Sequence, residues 1–570
     1  MASGASVPPR VGTSPALWFQ PERTAICAIL VLFACAQVWL AFRLNINSDE
    51  YFFLSHVYAF VDGRLSAPFQ TFHVHLFAWL PALPLSEADQ VGIGRLVMLA
   101  CELATFALVF ATGRAFLAPH DALVAVAAYA LSGYVLAHGM SFRTDPPAAM
   151  LMMVALWLMI RAPLRWPVAI AAGLAAALAL LITVKSALYL PAFGAALLHR
   201  FAMDHRNCRK IMLFFAASAA AALVCYATGW LLHSASLPAL IEARSPPAAA
   251  LAAPAAASLH KTVASPGFFP QFPFFARWVM LNPAAAAMIL GGIGLALAEA
   301  IRGKGAGRFV PLLLAAPLAS LLFYRNAYPY FYPFILAPAA LCAGLASQRL
   351  DRPLYRHALL GAMAAGLVLQ FTYYRQNDQA AQRAIAEQVH AMFPQPVRYI
   401  DRNAMIPSFE KSGLFLSTWG IEGAIRSGKP FFAPVIADQQ PPLLIANSPI
   451  LEAALAPGSE QPIQLAPADT AALRGNYIAH WEPVWVAGKQ LSVGPEAHSF
   501  AIAIAGNYTL ECNGAVRLDD VARACGSVIA LSAGPHRASA AASGGLTLRW
   551  GDHLTAPREP SPQQPIYYGF

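Results

Sequence analysis

The chain has 570 residues, of which 58% are hydrophobic and only 12% carry a charged side chain. A soluble domain carries charge on about a quarter of its residues, so this composition excludes an ordinary soluble protein and indicates an integral membrane protein. The formal net charge of +9 lies in short clusters between apolar runs, not on one basic face with interleaved aromatic residues, which argues against nucleic-acid binding.

Apolar runs follow one another along the first two thirds of the chain. About 20 helical residues cross a hydrocarbon core, and several runs approach that length, although 187–198 is short. The first run continues past "ACA" at 34–36, which resembles a signal-peptide cleavage site, so we interpret it as an uncleaved anchor. About eleven spans are predicted, at 24–42, 95–112, 121–140, 146–160, 166–184, 187–198, 211–232, 278–300, 309–323, 332–346 and 358–373.

Arginine and lysine residues predict the orientation of these spans. If the N-terminus is cytoplasmic, every cytoplasmic loop, including "HRFAMDHRNCRK" and "SQRLDRPLYRH", carries basic residues, as the positive-inside rule requires. The outer face then holds Asp49 and Glu50, the "FRTDPP" turn, a long loop, "YRNAYPY" and everything after Tyr374. This orientation predicts a multi-pass protein of the bacterial inner membrane with a periplasmic C-terminal domain.

The composition changes at Arg375 and predicts two domains. Residues 1–374 form a transmembrane domain with periplasmic loops at 43–94 and 233–277. Residues 375–570 form a periplasmic domain that starts with a mixed α/β segment. From about residue 480 it is β-rich, because "SFAIAIAGNYTLEC", "GSVIALSAG" and "GLTLRW" alternate apolar and polar residues as strands do. The predicted fold class is a polytopic α-helical membrane bundle with a C-terminal domain that ends in a small β-sandwich.

Two smaller features of the outer face leave alternatives open. In an oxidising periplasm Cys512 and Cys525 favour a disulfide, with two unpaired thiols in neighbouring strands as the alternative. The loop at 233–277 is too long for a simple connection. Its "SPGFFPQFPFF" segment fits either a mobile lid over an active site or packing on the membrane surface.

Ten polar or ionisable side chains fall near the ends of different spans on the predicted outer face. A carboxylate in lipid is costly, so acids at such positions usually face a cavity or a partner. Interfacial anchoring explains some of the bases, and helix capping is an equal alternative for Arg143 and Asp145, which precede a proline pair. The ten are Asp49, Glu50, His56, His73, His75, Arg143, Asp145, Lys185, Arg325 and Tyr328.

The order of motifs resembles the GT-C superfamily of membrane glycosyltransferases, and within it the protein mannosyltransferase and bacterial aminoarabinose transferase branch. An acidic pair follows the first span, then come "GRL", "FHVHLFAWL", "RTD", "GLAAALALLITVK" and "YPYFYPFILAP". The resemblance covers roughly residues 24–346 and rests on the order of the motifs, since each one alone is weakly specific.

This resemblance implies a GT-C-type bundle that moves a sugar from a polyprenyl phosphate to a periplasmic or cell-surface glycolipid, polysaccharide or protein, with inversion. It assigns catalysis to Asp49, with Glu50 adjacent, and to Asp145. Lys185 and Arg325 correspond, more loosely, to the cations with which enzymes of this family bind the donor phosphate. Breaking the bond from the anomeric carbon to phosphate suits these residue types, because carboxylates stabilise the positive sugar ring and cations the leaving phosphate. A carboxylate also serves as general base toward an acceptor hydroxyl.

The remaining candidates are expected to contact substrate or metal. Arg143, Tyr328 and His56 are assigned to substrate binding. Where aminoarabinose transferases carry "EKPP", this chain has "FHVH" at 72–75, which leaves the donor sugar open. No cofactor is firmly indicated, although His73 and His75 are suited to a divalent metal ion. Two histidines at i and i+2 share a face only in an extended segment, and the alternative is that they line the acceptor cleft.

Three other functions remain open at this stage. A protein O-mannosyltransferase is the alternative enzyme. A transporter or flippase for a lipid-linked sugar also needs many spans and intramembrane charge, but it predicts charges at the midplane and internal repeats, whereas the acids here collect at one surface. A receptor or scaffold with an inactive bundle would not need Asp49. All readings place the protein in a lipid bilayer, and none requires nucleic acid.

Overall fold

The computed structural model describes residues 21–242, 267–416, 418–456, 465–562 and 565–568. The chain divides into two compact units. The helical unit comprises Met1–Ala41, Ser66–His73 and Arg95–Gln376, and the mixed unit comprises Phe42–Leu65, Val74–Gly94 and Asn377–Phe570. Most of the first predicted loop therefore belongs to the same unit as the C-terminal segment.

The helical unit is built of apolar helices, several of which begin with proline, a residue that suits the first helical turn because its missing N–H needs no partner there. Its α-helices are Pro21–Ala41, most of Glu87–Gly113, Pro119–Ala130, Val135–His138, Asp145–Arg161, Trp166–Ile182, Leu190–Met203, Cys208–Ala235, Pro238–Glu242, Phe272–Leu281, Pro283–Arg302, Val310–Ala315, Tyr332–Ala339, Leu341–Ser347 and Pro353–Tyr374. Its 3-10 helices are Val184–Tyr189, His205–Asn207, Ala306–Phe309, Ala316–Leu322 and Pro329–Phe331.

Within the described ranges, five helices are long and apolar enough to cross a membrane, or six if the bent pair Pro329–Ala339 and Leu341–Ser347 forms one span. Shorter apolar helices add to them. Some predicted runs are interrupted: the run at 121–140 is helical only to Ala130 and resumes at Val135. At this break a β-carbon on Gly133 would lie 2.6 Å from the Trp278 backbone oxygen, so the close approach requires glycine. The predicted helical bundle is therefore present.

The predicted loop at 233–277 falls largely on residues 243–266, which lie outside the described part of the chain. After it, Phe268 is 82% exposed and Phe272 is 54% exposed. Exposed phenylalanines beside an apolar helix suit the membrane-surface alternative. The choice between a lid and a surface segment stays a prediction.

Hydrogen bonds within the mixed unit hold the first loop against the C-terminal segment. The Gln382 side chain accepts from the Ile46 N–H at 2.9 Å and donates to the Ile46 carbonyl at 2.8 Å. Asn403 Nδ2 donates to the Ser48 carbonyl at 2.8 Å. These bonds position the start of the first-loop helix, Ser48–Val61. The other helices that lie wholly in this unit are Val74–Phe77, Ala380–Met392, Thr418–Ser427, Phe432–Gln439, Pro449–Leu455 and Pro467–Asn476, with a 3-10 turn at Leu80–Ala82.

Eleven strands form two sheets in the described part of the mixed unit. A seven-stranded sheet has the order β1-β2-β4-β11-β6-β9 with β3 also on β4, and a four-stranded sheet has the order β5-β10-β7-β8. The β1–β2 pair is parallel. The strands are β1 Tyr399–Ile400, β2 Leu443–Ile445, β3 Tyr477–Trp481, β4 Val484–Val493, β5 His498–Ile502, β6 Gly506–Cys512, β7 Val516–Leu518, β8 Val521–Arg523, β9 Val528–Leu531, β10 Gly534–Ala540 and β11 Gly544–Trp550.

The two sheets share one apolar core, as a β-sandwich requires. Leu510 on β6 and Leu548 on β11 are fully buried and pack in the same cluster as Leu518 on β7 and Ala538 on β10. Each strand contributes alternate residues to this cluster because successive side chains point to opposite faces. The predicted terminal sandwich is present, and its strands begin near the position that the alternating pattern indicated.

Cys512 and Cys525 form a disulfide with their α-carbons 5.4 Å apart, so the disulfide is the alternative that the structure supports. Replacing both by serine is expected to destabilise the mixed unit by about 3 kcal/mol, because a short cross-linked loop restricts the unfolded chain by roughly that amount. Thermal unfolding of the full-length protein under non-reducing conditions measures this change. An unchanged unfolding temperature would contradict a structural role for the disulfide.

Candidate active site

A buried cluster of charged side chains lies at the start of the helix Asp145–Arg161 in the helical unit. Arg143 Nε is 3.4 Å from Asp145 Oδ2, and Lys185 Nζ forms an ion pair with Asp145 Oδ1. The side chains of Arg143, Asp145 and Lys185 are 5%, 2% and 11% exposed. The cluster thus brings two cationic side chains to one buried carboxylate.

An aromatic side chain also contacts this cluster. The Arg143 guanidinium carbon lies 3.5 Å from the centre of the Tyr330 ring, within the range of a cation–π interaction. Lys185 Nζ lies 5.5 Å from the same ring. Sequence reasoning selected Tyr328 and missed Tyr330, although both stand in the quoted "YPYFYPF" segment. The sequence could not distinguish Tyr330 from the other tyrosines of this segment, because the role of Tyr330 depends on the cation that lies above its ring in the folded chain.

The local backbone explains why these three charges meet. Pro146 and Pro147 fit the first turn of the helix Asp145–Arg161, where an acid also complements the positive helix end. Lys185 lies in the 3-10 turn Val184–Tyr189, between the helices Trp166–Ile182 and Leu190–Met203. A break between two apolar helices places a lysine beside a helix start, so Asp145 both lies in the first helical turn and forms the ion pair with Lys185, although no side chain in the described part of the chain caps this helix by a hydrogen bond.

Tyr328 and Arg325 lie on the same segment as Tyr330. The Tyr328 ring centre is 5.9 Å from that of Tyr330 and 5.5 Å from that of Phe274. The Arg325 carbonyl accepts a hydrogen bond from Gln271 Nε2 at 2.9 Å. Tyr328 is thus a neighbour of the cluster through Tyr330, and contact of either residue with substrate stays a prediction.

Asp49 and Glu50 lie in the first turn of the helix Ser48–Val61 in the mixed unit. Asn47 Oδ1 accepts from the Asp49 N–H at 3.0 Å, and Glu50 Oε2 accepts from the Asn47 N–H at 2.9 Å, which together form a capping box. Glu50 is 1% exposed, whereas Asp49 is partly exposed. The two adjacent acids therefore differ: Glu50 has a structural role in the helix start, and Asp49 retains a solvent-accessible surface.

His56 lies one to two turns further along this helix, among aromatic rings. Its ring centre is 4.2 Å from that of Phe52 and 6.5 Å from that of Phe53. Burial lowers the pKa of His56 to about 4, so the ring is uncharged near neutral pH. An uncharged imidazole is a poor partner for a phosphate, and its predicted contact with substrate would be with a neutral group.

The two histidines of "FHVH" lie at a helical turn. The segment Val74–Phe77 is helical, so the extended backbone that would turn both imidazoles to one side is absent. His75 stacks edge-on against Phe60 at 4.9 Å, and burial lowers its pKa. Across the described residues, no group of three or more histidine, cysteine, aspartate or glutamate side chains is arranged to hold a metal ion. Metal binding by His73 and His75 stays a prediction, without the extended backbone on which it depended.

A second polar network, missed by sequence reasoning, lies in the mixed unit. Glu87 is 4% exposed, and its Oε1 is 2.8 Å from His390 Nε2 and accepts from Ser408 Oγ at 2.6 Å. Arg383 Nη2 donates to Asp89 Oδ1 at 2.6 Å. Glu87 and His390 are 303 residues apart, so no local pattern in the sequence signals their contact.

His390 is expected to make the stability of the mixed unit depend on pH. The hydrogen bond to Glu87 raises the pKa of His390. The protonated imidazole therefore stabilises the folded state at a pH below about 6.5, the pKa of histidine in the unfolded chain. This stabilisation is lost as the pH rises through the pKa of His390 in the folded state. Because the His390 side chain is 40% exposed, solvent screening limits the effect to about 1 kcal/mol or less. Thermal unfolding across this pH range should show the slope in the native protein, and His390→Gln should lose it; an equal slope in both proteins would contradict the assignment.

Comparison with known proteins supports the fold over most of the chain. Residues 73–231 match the family model described as dolichyl-phosphate-mannose-protein mannosyltransferase. No curated protein sequence matches the chain. ArnT from Cupriavidus metallidurans, solved with undecaprenyl phosphate, is 16% identical over 77% of this chain and 94% of its own, with a TM-score of 0.51. The archaeal oligosaccharyltransferase AglB from Archaeoglobus fulgidus, solved with an inhibitory peptide and a dolichol-phosphate, is 10% identical over 90% and 94%, with a TM-score of 0.53.

The family match and the shared fold agree with each other. The matched residues 73–231 contain Arg143, Asp145 and Lys185, so the charge cluster lies inside the segment that resembles mannosyltransferases. The similar structures extend the likeness to the C-terminal segment. The predicted resemblance is therefore confirmed at the level of the fold: residues 73–231 match the mannosyltransferase family model, and the chain shares the fold of the GT-C enzymes ArnT and AglB.

Proposed function

We propose that this protein transfers a sugar from a polyprenyl-phosphate donor to an acceptor hydroxyl on the periplasmic face of the bacterial inner membrane, with inversion at the anomeric carbon. The observation that carries the proposal is the buried cluster in which the two cations Arg143 and Lys185 meet at Asp145. Such a cluster suits the phosphate of a lipid carrier, because buried cations bind phosphate oxygens by charge-assisted hydrogen bonds.

The cluster is proposed to hold the donor phosphate. As the bond from the anomeric carbon to phosphate oxygen breaks, negative charge grows on the leaving polyprenyl phosphate, and preorganised cations stabilise it. Asp145 orients both cations and offsets part of their charge, while Tyr330 holds the Arg143 guanidinium plane. Asp145 is therefore proposed as a positioning residue, although the resemblance assigns it to catalysis. Arg325 and Tyr328 are proposed as further substrate contacts.

Asp49 is proposed as the general base. It takes the proton of the acceptor hydroxyl while the acceptor oxygen bonds to the anomeric carbon and the phosphate leaves with the bond electrons. One displacement from the opposite face inverts the anomeric centre. The capping box fixes Asp49 in the first helical turn without consuming its carboxylate, and Glu50 supports it by closing that box.

The acceptor is proposed to be a glycolipid, a polysaccharide or a protein, and a protein O-mannosyltransferase is the alternative within the same enzyme class. The match to the mannosyltransferase model supports a mannose-type donor as the first one to test. The segment 375–570 is proposed to be a periplasmic domain, since the basic loops of the helical unit favour that orientation.

A transfer assay tests the proposal. The full-length protein in nanodiscs receives radiolabelled polyprenyl-phosphate sugars together with membrane extracts as acceptor, and label in the acceptor fraction is measured against a protein-free control. Transfer from at least one donor is expected. Label that crosses the bilayer of proteoliposomes with no transfer to any acceptor would instead support the transporter alternative.

A further inference from the structure

A cavity of about 480 Å³ lies within the mixed unit, beside the helix Ser48–Val61. Proline and leucine residues of the 81–85 segment form one wall. The helix Ala380–Met392 supplies the other wall through Arg383, Ala386 and His390. Clefts with apolar walls and a few convergent polar groups are typical of small-molecule sites.

The apolar wall is fixed by hydrogen bonds. Gln90 Nε2 donates to the carbonyls of Leu83 and Leu85, both at 3.4 Å. The Tyr58 hydroxyl donates to Gln90 Oε1 at 2.9 Å. Burial raises the pKa of Tyr58 to about 12, so its hydroxyl stays protonated. The site is therefore formed before any ligand arrives.

The charges around the cavity select the ligand. Glu87 and Glu387 line it, and Asp89 pairs with the lining residue Arg383 at 2.6 Å. These three carboxylates outnumber the two basic side chains, Arg383 and His390. The surplus of negative charge disfavours a phosphate or carboxylate ligand. The lining fits a neutral molecule with one apolar face and many hydroxyl groups. The hydroxyls of Tyr58 and Ser408 offer hydrogen bonds to such a ligand, and the proline and leucine wall offers an apolar surface.

We propose that this cavity is a subsite for a neutral sugar unit of the acceptor. The proposal rests on the proposed function and makes it more specific, because it favours a neutral glycan over an acceptor bound through a phosphate. Tyr58 follows Asp49 by nine residues on one helix, which is about 13 Å along the axis. The cavity is therefore proposed to bind a part of the acceptor that is remote from the reacting hydroxyl. Binding energy gained there lowers the barrier to sugar transfer, although no bond forms or breaks in the cavity.

Saturation-transfer NMR on the full-length protein in nanodiscs tests the subsite. The probes are the methyl glycosides of mannose, glucose and galactose, with mannose 1-phosphate as the anionic comparison. Leu85 is 44% exposed, so Leu85→Trp fills the cavity mouth without disturbing a core. Leu414 is 43% exposed and does not line the cavity, so Leu414→Trp is the matched control.

The native protein and Leu414→Trp are expected to transfer saturation to at least one neutral glycoside. The Leu85→Trp variant should lose this saturation transfer. Its KM for the acceptor should also rise by about tenfold or more, which is equivalent to about 1.4 kcal/mol. Binding of mannose 1-phosphate as tight as that of the neutral glycosides, or no glycoside binding by the native protein, would overturn the assignment. If Leu85→Trp binds the glycosides and the acceptor as the native protein does, the subsite assignment is also overturned, even though sugar transfer itself is retained. Leu85-dependent glycoside binding without transfer from any donor would leave the subsite standing and reject the proposed function.

Discussion

Replacing Asp49 by asparagine is expected to lower sugar transfer by about 10²–10⁴-fold, the usual contribution of a general base. Asparagine has nearly the same shape as aspartate but cannot accept the proton of the acceptor hydroxyl. The Asp49 N–H still reaches Asn47 Oδ1, so the helix cap and the unfolding temperature should remain unchanged. Initial rates from labelled polyprenyl-phosphate sugars, with donor and acceptor in excess, measure the effect on turnover.

Asp62 is the matched control because it lies at the other end of the same helix, where it pairs with Arg64 at 2.5 Å. Its side chain is 44% exposed, so Asp62→Asn should leave both transfer and stability close to native. A comparable rate for Asp49→Asn and Asp62→Asn would remove Asp49 from the proposed mechanism. Loss of transfer in both variants would indicate a general effect of charge on this helix.

Glu50 provides a second comparison that separates structure from chemistry. Glu50→Ala leaves the partly buried Asn47 N–H without its acceptor, which costs about 1 kcal/mol. Glu50→Gln keeps an oxygen at that position and should restore stability. If Glu50→Gln also restores transfer while Asp49→Asn does not, catalysis rests on Asp49 and Glu50 acts through the capping box.

The sequence predicted those elements whose signal is local. Alternation of apolar and polar residues located the strands β6, β9 and β11, and apolar length located helices such as Pro21–Ala41 and Cys208–Ala235. The positions of helix breaks were not predictable, because the break near Gly133 depends on the approach of Trp278, a residue distant in sequence. Composition indicates that a segment is apolar, but packing decides where its helix ends.

The candidate site was likewise predicted only in part. Arg143, Asp145 and Lys185 were selected from their places near the ends of different runs, and the structure brings them together. Tyr330 and the Glu87–His390 contact were missed, since a ring under a cation and a histidine 303 residues away leave no periodic signal. The metal prediction for His73 and His75 depended on extended backbone, and the helical turn Val74–Phe77 removes that basis.

Replacing Asp145 by asparagine is expected to destabilise the protein and abolish detectable transfer, because Arg143 and Lys185 then remain buried without their carboxylate. Breaking a buried ion pair by removing one partner typically costs about 3–5 kcal/mol. Thermal unfolding in nanodiscs measures the stability, and equilibrium binding of a polyprenyl phosphate without sugar measures the donor site. Asp121→Asn is the matched control, since Asp121 is also buried and its carboxylate accepts a hydrogen bond from the neutral Ser347 hydroxyl at 2.7 Å.

A second substitution separates folding from phosphate binding. Lys185→Met removes one cation, so in the double variant with Asp145→Asn one cation instead of two has lost its ion pair with Asp145, and the double variant should be more stable than Asp145→Asn alone. It should still fail to bind polyprenyl phosphate, because one of the two cations proposed to hold the phosphate is absent. A double variant that regains both stability and binding would show that Lys185 and Asp145 only stabilise the helix start, and the donor phosphate would then have to be held by other side chains.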